Sequence, residues 1–246
     1  MKMNLKPVFR YGMKNYLSGY GVFLAIMAVI MLCFTVAAGK TSSHVEGMSS
    51  FSGVGLISAV CVFVVGIASP REDIRLCLQL GVSRRTALAG IWLASAAAAL
   101  ALAAGCELLV LLGGRLCRGM ENVFVMDLYQ MVWLDGGPMG PGGHLLSVLV
   151  NTFVFLAAYA VGMFFSFGFW RLSRKLSIVA AALAIPLVLN GVPWLLYWLG
   201  VDMAPFEAWL LKSGFNAVIT AAAAAAVFMA ANARLLARAA IKEAAA

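Results

Sequence analysis

The chain has 246 residues, of which 63% are hydrophobic and 11% charged, with a mean hydropathy of +0.96. A soluble domain carries roughly a quarter charged residues, so this composition excludes a water-soluble enzyme or binding module and makes the bilayer the solvent for most of the chain. The net charge of +8 is accordingly a topology signal, to be read by where the basic residues fall, and not a footprint for nucleic acid.

Residues 4–17 form an amphipathic pattern. Leu5, Val8, Phe9, Met13, Tyr16 and Leu17 fall on one helical face, and Lys6, Arg10 and Lys14 recur every fourth residue on the other. This predicts a basic helix within residues 1–17 that lies in the membrane interface. Tyr20–Ala38 is the first predicted span. Val36-Ala37-Ala38 has the small residues of a cleavage site, but the long lead and the later spans make it an uncleaved helix. Phe51–Ser69 is the second span, and Pro70 is expected to end it.

Pro70 to Thr86 is the most charged stretch between apolar runs, carrying Arg71, Glu72, Asp73, Arg75, Arg84 and Arg85. Residues 71–80 read as a short helix with Glu72 and Asp73 in its first turn. Gly81 is its left-handed stop, and Ser83 is the N-cap of the next helix. The stretch 70–86 is thus a folded, basic elbow between two spans.

The third span covers Ala89–Leu112, with Glu107 near its far end. A carboxylate at membrane depth marks a functional group, whereas the boundary at Gly113-Gly114-Arg115 places Glu107 among headgroups, and the latter reading is preferred. Residues 113–144 form the longest connection. Within it, Glu121–Leu134 reads as a short interfacial helix with Asp127 in its middle. The fourth span is Leu145–Trp170. The fifth, Ile178 to Asn190, is interrupted by Pro186, Gly191 and Pro193. Residues 193–212 read either as a re-entrant hairpin or as the tail of the fifth span with a Trp-rich belt. Phe215–Ala231 is the sixth span.

If the N-terminus, the elbow, the 171–175 loop and the C-terminus share one side, that side holds fourteen of the 18 Lys and Arg residues, and Lys40, Arg115, Arg118 and Lys212 make up the other. The positive excess makes the first side cytoplasmic, so both termini and the elbow face the cytoplasm of the cell membrane and the spans are even in number. The expectation is one all-α transmembrane domain of about six helices over 1–246.

The chemistry is sparse. No phosphate-loop pattern and no His-Glu-x-x-His occur. His44 and His144 fall in predicted external loops, and the spans show no buried acid pair of the kind a proton-coupled pump uses. The five cysteines are scattered packers, of which only Cys117 is expected to face an oxidising side. Asn151, Asn190, Asn216 and Glu107 are the candidates for a pathway, with interhelical hydrogen bonding as the alternative for the amides.

Taken in order, the basic N-terminal helix 4–17, the six-span plan, the elbow with Arg-Glu-Asp-x-Arg-Leu at 71–76 and Leu-Gly-Val-Ser-Arg-Arg-Thr at 80–86, and the broken region 186–212 resemble the membrane (permease) subunits of bacterial ABC transporters of the type-2 exporter class. The resemblance implies a half-transporter. It would pair with a second permease subunit and with cytoplasmic ATP-binding cassette ATPases that hold the ATP and Mg, leaving no cofactor in this chain. It also implies that residues 71–85 form the coupling helix, with Arg71, Glu72, Asp73, Arg75, Arg84 and Arg85 at the ATPase contact. For Arg84 and Arg85, anchoring on the positive side is an equal alternative. The expected substrate is a hydrophobic or amphipathic peptide antibiotic, drug or lipid. Two other readings stay open, a gradient-driven secondary transporter and a non-transporting immunity or scaffold protein. An intramembrane enzyme is disfavoured, because the groupings it needs are missing.

Overall fold

A computed structural model describes residues 5–41, 49–118, 123–169 and 203–238. The expected fifth span, Asn190 and the start of the re-entrant segment lie outside those residues. Among them are seven helices, α1 (Leu5–Thr41), α2 (Val54–Gln79), α3 (Arg84–Leu116), α4 (Leu128–Trp133), α5 (Pro141–Gly168), α6 (Ala204–Lys212) and α7 (Gly214–Arg238), and two short strands, β1 (Ser49–Ser52) and β2 (Val123–Met126). Helices α1, α2, α3, α5 and α7 are long and apolar enough to cross a membrane. The chain is a multi-pass, all-α membrane protein.

The helix boundaries depart from expectation in two places. First, the N-terminal helix is not a separate interfacial element. Residues 5–41 form one helix, about 55 Å long at 1.5 Å per residue, well beyond a hydrocarbon core of about 30 Å. One stripe unites its two halves, with Val8, Tyr16, Tyr20, Met27 and Met31 all buried at helical spacing, while Lys6, Arg10 and Lys14 stay exposed. Second, Pro70 does not end the second span. It sits buried inside α2, which continues to Gln79. Proline forfeits one hydrogen bond and crowds the carbonyl four residues back. That carbonyl belongs to Gly66, held against α5, and the turns after Pro70 are fixed by buried Ile74 and Cys77. Packing outweighs the local defect, as neighbouring helices allow in membrane spans.

The long helices pair by close contact at glycines. A Cβ added at Gly90, Gly105 or Gly113 of α3 would lie 2.6, 2.5 or 2.8 Å from Val8, Leu24 or Met31 of α1. These pairs keep a nearly constant offset, so α1 and α3 run in parallel, the side chains of one seated on bare backbone of the other. Helices α2 and α5 are also parallel. A Cβ at Gly66 would come 2.6 Å from the Tyr159 carbonyl, and one at Gly162 would strike the Phe63 carbonyl. Such small-residue contacts drive association in lipid, where apolar burial between helices gains nothing over lipid contact. Helix α7 completes the row, its Asn232 Nδ2 donating to the Ala160 carbonyl of α5 at 3.0 Å.

At one end of this bundle lies the turn between α2 and α3. At the other, β1 and β2 pair in parallel, Ser49 opposite Val123 and Ser52 opposite Met126, tying the α1–α2 link to the stretch after α3. The strands are too short to show a period. Exposed Arg75, Arg84, Arg85 and Arg234 lie at the turn end with Lys6, Arg10 and Lys14, whereas Arg115, Arg118 and Lys212 lie at the strand end.

Gly162→Leu should prevent the α2–α5 approach and lower the unfolding midpoint in detergent, an overpacking cost of about 1–3 kcal/mol. Gly114→Ala, at a helical glycine with open space around it, should leave the midpoint unchanged or slightly raised. Equal effects from the two would contradict the close contact.

Candidate functional site

The elbow is built as the sequence suggests at its turn. Leu80 is the C-cap of α2, Gly81 takes φ +78°, and Gly81 N–H donates to the Leu78 carbonyl while Val82 N–H donates to that of Cys77. This is the paired closure of a left-handed helix stop. Ser83 Oγ then accepts from Thr86 N–H at 3.3 Å and caps α3. Glu72, Arg75, Arg84 and Arg85 are exposed around the turn, and the Arg84 guanidinium reaches the Leu236 carbonyl of α7 at 3.5 Å.

Two of the expected contact residues point elsewhere. Arg71 Nε donates to the Ser166 carbonyl of α5 at 2.8 Å. Asp73 is 4% exposed and accepts a hydrogen bond from the Tyr16 hydroxyl at 3.0 Å, and Tyr16 lies 2.8 Å from the Tyr159 hydroxyl. Because α2 continues through Pro70, Asp73 falls on its buried face and joins α1, α2 and α5. Beside it a cleft of about 400 Å³ opens at the elbow end, lined by Tyr11, Asn15, Ser69, Glu72, Asp73 and Arg75.

The second polar centre is at the strand end. Asp127, fully buried, is not the middle of a helix but the N-cap of α4, accepting from Tyr129 N–H at 3.2 Å. Asn151 Nδ2 lies 3.2 Å from both Asp127 oxygens. Ser147 Oγ lies 2.6 Å from Glu107 Oε2 and 2.5 Å from Asp127 Oδ2. His144 Nδ1 lies 2.6 Å from Glu107 Oε1. A continuous chain therefore runs from His144 through Glu107, Ser147 and Asp127 to Asn151.

Three expectations are corrected here. Glu107 is 4% exposed and bonded to Ser147 and His144 within the bundle, so its carboxyl does not face headgroups. His144 lies in the first turn of α5, which Pro141 opens, not in a loop. A buried acid pair does exist, supplied by one spanning helix and one cap outside the spans. The sequence signal available for it was spacing, since His144, Ser147 and Asn151 form a polar stripe on one face of an apolar helix. Of the other pathway candidates, Asn151 belongs to this centre, while Asn216 holds the Trp209 carbonyl at 2.6 Å and fastens α6 to α7. The part of 193–212 that is described ends in α6, whose residues are not buried.

Among the described residues, no group of three or more His, Cys, Asp or Glu side chains could hold a metal ion. The thiols of Cys77, Cys106 and Cys117 are all buried, and burial pushes that of Cys117, beyond the end of α3, above its ordinary range. No protein-family model, curated protein or solved structure matches the chain.

Two outcomes test this geometry. In a chain freed of its native cysteines, an Arg85→Cys thiol should react with an impermeant maleimide from one side of the membrane and an Arg118→Cys thiol from the other; reaction of both from one side would contradict the placement. Tyr16→Phe, which strips Asp73 of its hydroxyl partner, should cost about 1–2 kcal/mol in denaturant unfolding.

Proposed function

We propose that the chain is the membrane (permease) subunit of an ATP-driven exporter, moving a hydrophobic or amphipathic substrate with energy from a separate cytoplasmic ATPase, and that a second membrane subunit completes the pathway. The observation that carries this reading is the continuity of α2. It runs unbroken from the exposed basic elbow to Gly55, where an added Cβ would lie 3.0 Å from Asn151 Oδ1 and 3.6 Å from Asp127 Oδ1. Over 26 residues this is a rod of about 39 Å, crossing the bundle from a docking surface to a buried polar centre. Close packing transmits displacement rather than absorbing it, so a push at the elbow reaches the far end.

In this reading Glu72, Arg75, Arg84 and Arg85 meet the ATPase, and the elbow end is cytoplasmic by its positive excess. Arg71 and Asp73 act behind them, holding the end of α2 to α5 and α1 so that the force enters the bundle. ATP and Mg belong to the partner. The buried Glu107–Asp127 pair favours a second reading, transport driven by an ion gradient.

Purification of the tagged chain from its native host in mild detergent separates the two. An ATPase that copurifies in comparable amount supports the exporter reading. Joint Arg75→Glu and Arg85→Glu substitution should then lower that recovery about tenfold, the equivalent of about 1.4 kcal/mol. Absence of any ATPase across several detergents overturns the exporter reading in favour of gradient-driven transport.

A further inference from the structure

The structure assigns a proton-binding site to the Glu107–Ser147–Asp127 bridge, with the bound proton on Glu107 and His144 as its route to the surface. This does not depend on which motor, if any, drives the protein.

The first ground is a count of hydrogens. Ser147 Oγ makes two short contacts, 2.6 Å to Glu107 Oε2 and 2.5 Å to Asp127 Oδ2. Both are hydrogen-bond distances between oxygens with a charged partner, and each needs a hydrogen between its oxygens. A serine hydroxyl has one to give and two lone pairs to offer. The second hydrogen must sit on one of the carboxyls. Two ionised carboxylates on one hydroxyl would leave one contact with none, and the ion-pair partner that Glu107 has among the described residues, His144, meets Oε1 and puts no hydrogen on the Ser147 side.

The second ground identifies the carboxyl. Asp127 Oδ2 already faces Tyr129 N–H and Asn151 Nδ2, and Oδ1 faces the same amide. A proton on Asp127 would compete with those donors. Asn151 adds an independent sign. It is fully buried, and its Oδ1 has no hydrogen-bond partner, yet its amide keeps the nitrogen turned to Asp127. Turning it over would set oxygen against oxygen unless Asp127 carried the proton, so the orientation fits a proton held on the other carboxyl. Glu107 Oε2, in contrast, faces Ser147 alone. The chain then has one direction: Glu107 Oε2–H donates to Ser147 Oγ, whose hydrogen is donated to Asp127 Oδ2, while His144 Nδ1–H donates to Glu107 Oε1.

The other titratable groups facing the bridge do not supply the missing hydrogen. Cys106 of α3 is bonded to Ser58 of α2 at 3.2 Å, and the Tyr129 ring of α4 stacks on Trp133. The His144 side chain is 29% exposed against 6% for that of Glu107, whereas Asp127 is fully buried. A proton taken up at His144 Nε2 releases the one on Nδ1 to Glu107 Oε1; a half-turn of the carboxyl then carries it to the Ser147 side, a turn of the imidazole presents the new N–H to the freed oxygen, and loss follows the same path in reverse. When the proton leaves, two anions share one hydroxyl, and one of its two contacts is lost.

Infrared difference spectra of the whole chain in phosphatidylcholine nanodiscs, recorded on exchange from H2O into D2O, read this directly. A protonated-carboxyl band should be present, shift on carboxyl-13C labelling of glutamate but not of aspartate, and disappear in Glu107→Gln. Its hydrogen–deuterium exchange should slow at least several-fold in His144→Ala. Gln keeps both bonds of the protonated form, donating to Ser147 and accepting from His144, so Glu107→Gln should hold the unfolding midpoint while Asp127→Asn lowers it. No such band, a band that follows aspartate labelling, or equal destabilisation by the two amides would overturn the assignment. Exchange unchanged in His144→Ala would overturn the route. Where a variant does not fold, the isotope-labelled native chain alone decides between the two carboxyls.

Discussion

Gly66 and Gly162 bring the backbones of α2 and α5 together, and the placement of both polar centres follows from that contact. The offset it sets along the parallel helices puts Gly55 beside Asn151 at one end and Arg71 beside the Ser166 carbonyl at the other. A side chain at either glycine would need space occupied by a carbonyl. Lipid offers no hydrophobic reward for helix association, so close van der Waals packing and interhelical hydrogen bonds must supply it. Here they act together, because the bare crossing brings the flanking polar groups within bonding range.

The polar groups are divided by position. At the elbow end, Tyr16, Asp73 and Tyr159 join three helices through hydroxyls, and the exposed arginines ring the turn outside them. At the strand end, two carboxyl groups, a hydroxyl, an amide and a histidine gather on α3, α4 and α5. Between the two lies an apolar bundle whose buried side chains are mostly alanine, valine and aromatic rings. Buried polar groups are costly unless bonded, and both sets are bonded to each other rather than to lipid or solvent.

Helix α2 is the element common to both ends. Its passage through Pro70 makes the elbow the end of a membrane helix, and the left-handed stop at Gly81 places the turn beyond it. In the proposed exporter, a displacement of the turn would travel along α2 and α3 toward the Glu107–Ser147–Asp127 centre. The two proposals thus describe opposite ends of the same mechanical element.

Much of this was legible in the chain itself. Composition required a membrane solvent, five long apolar runs appear as helices where periodicity and length placed them, and the Gly81 stop and Ser83 cap follow from residues whose conformational preference is local. Local rules failed where a partner overrode them: the helix persists through Pro70, and residues 5–17 fuse with the first span, because stripes meeting a neighbouring helix extend across both expected breaks. The carboxylate centre was beyond reach for a different reason. Glu107, Asp127 and Ser147 lie on three separate elements, and only the parallel docking of α2 on α5, with α3 against both, brings them within bonding distance. Sequence determines what each segment can bury; which buried groups meet is decided by the offsets at which bare backbones allow the helices to touch.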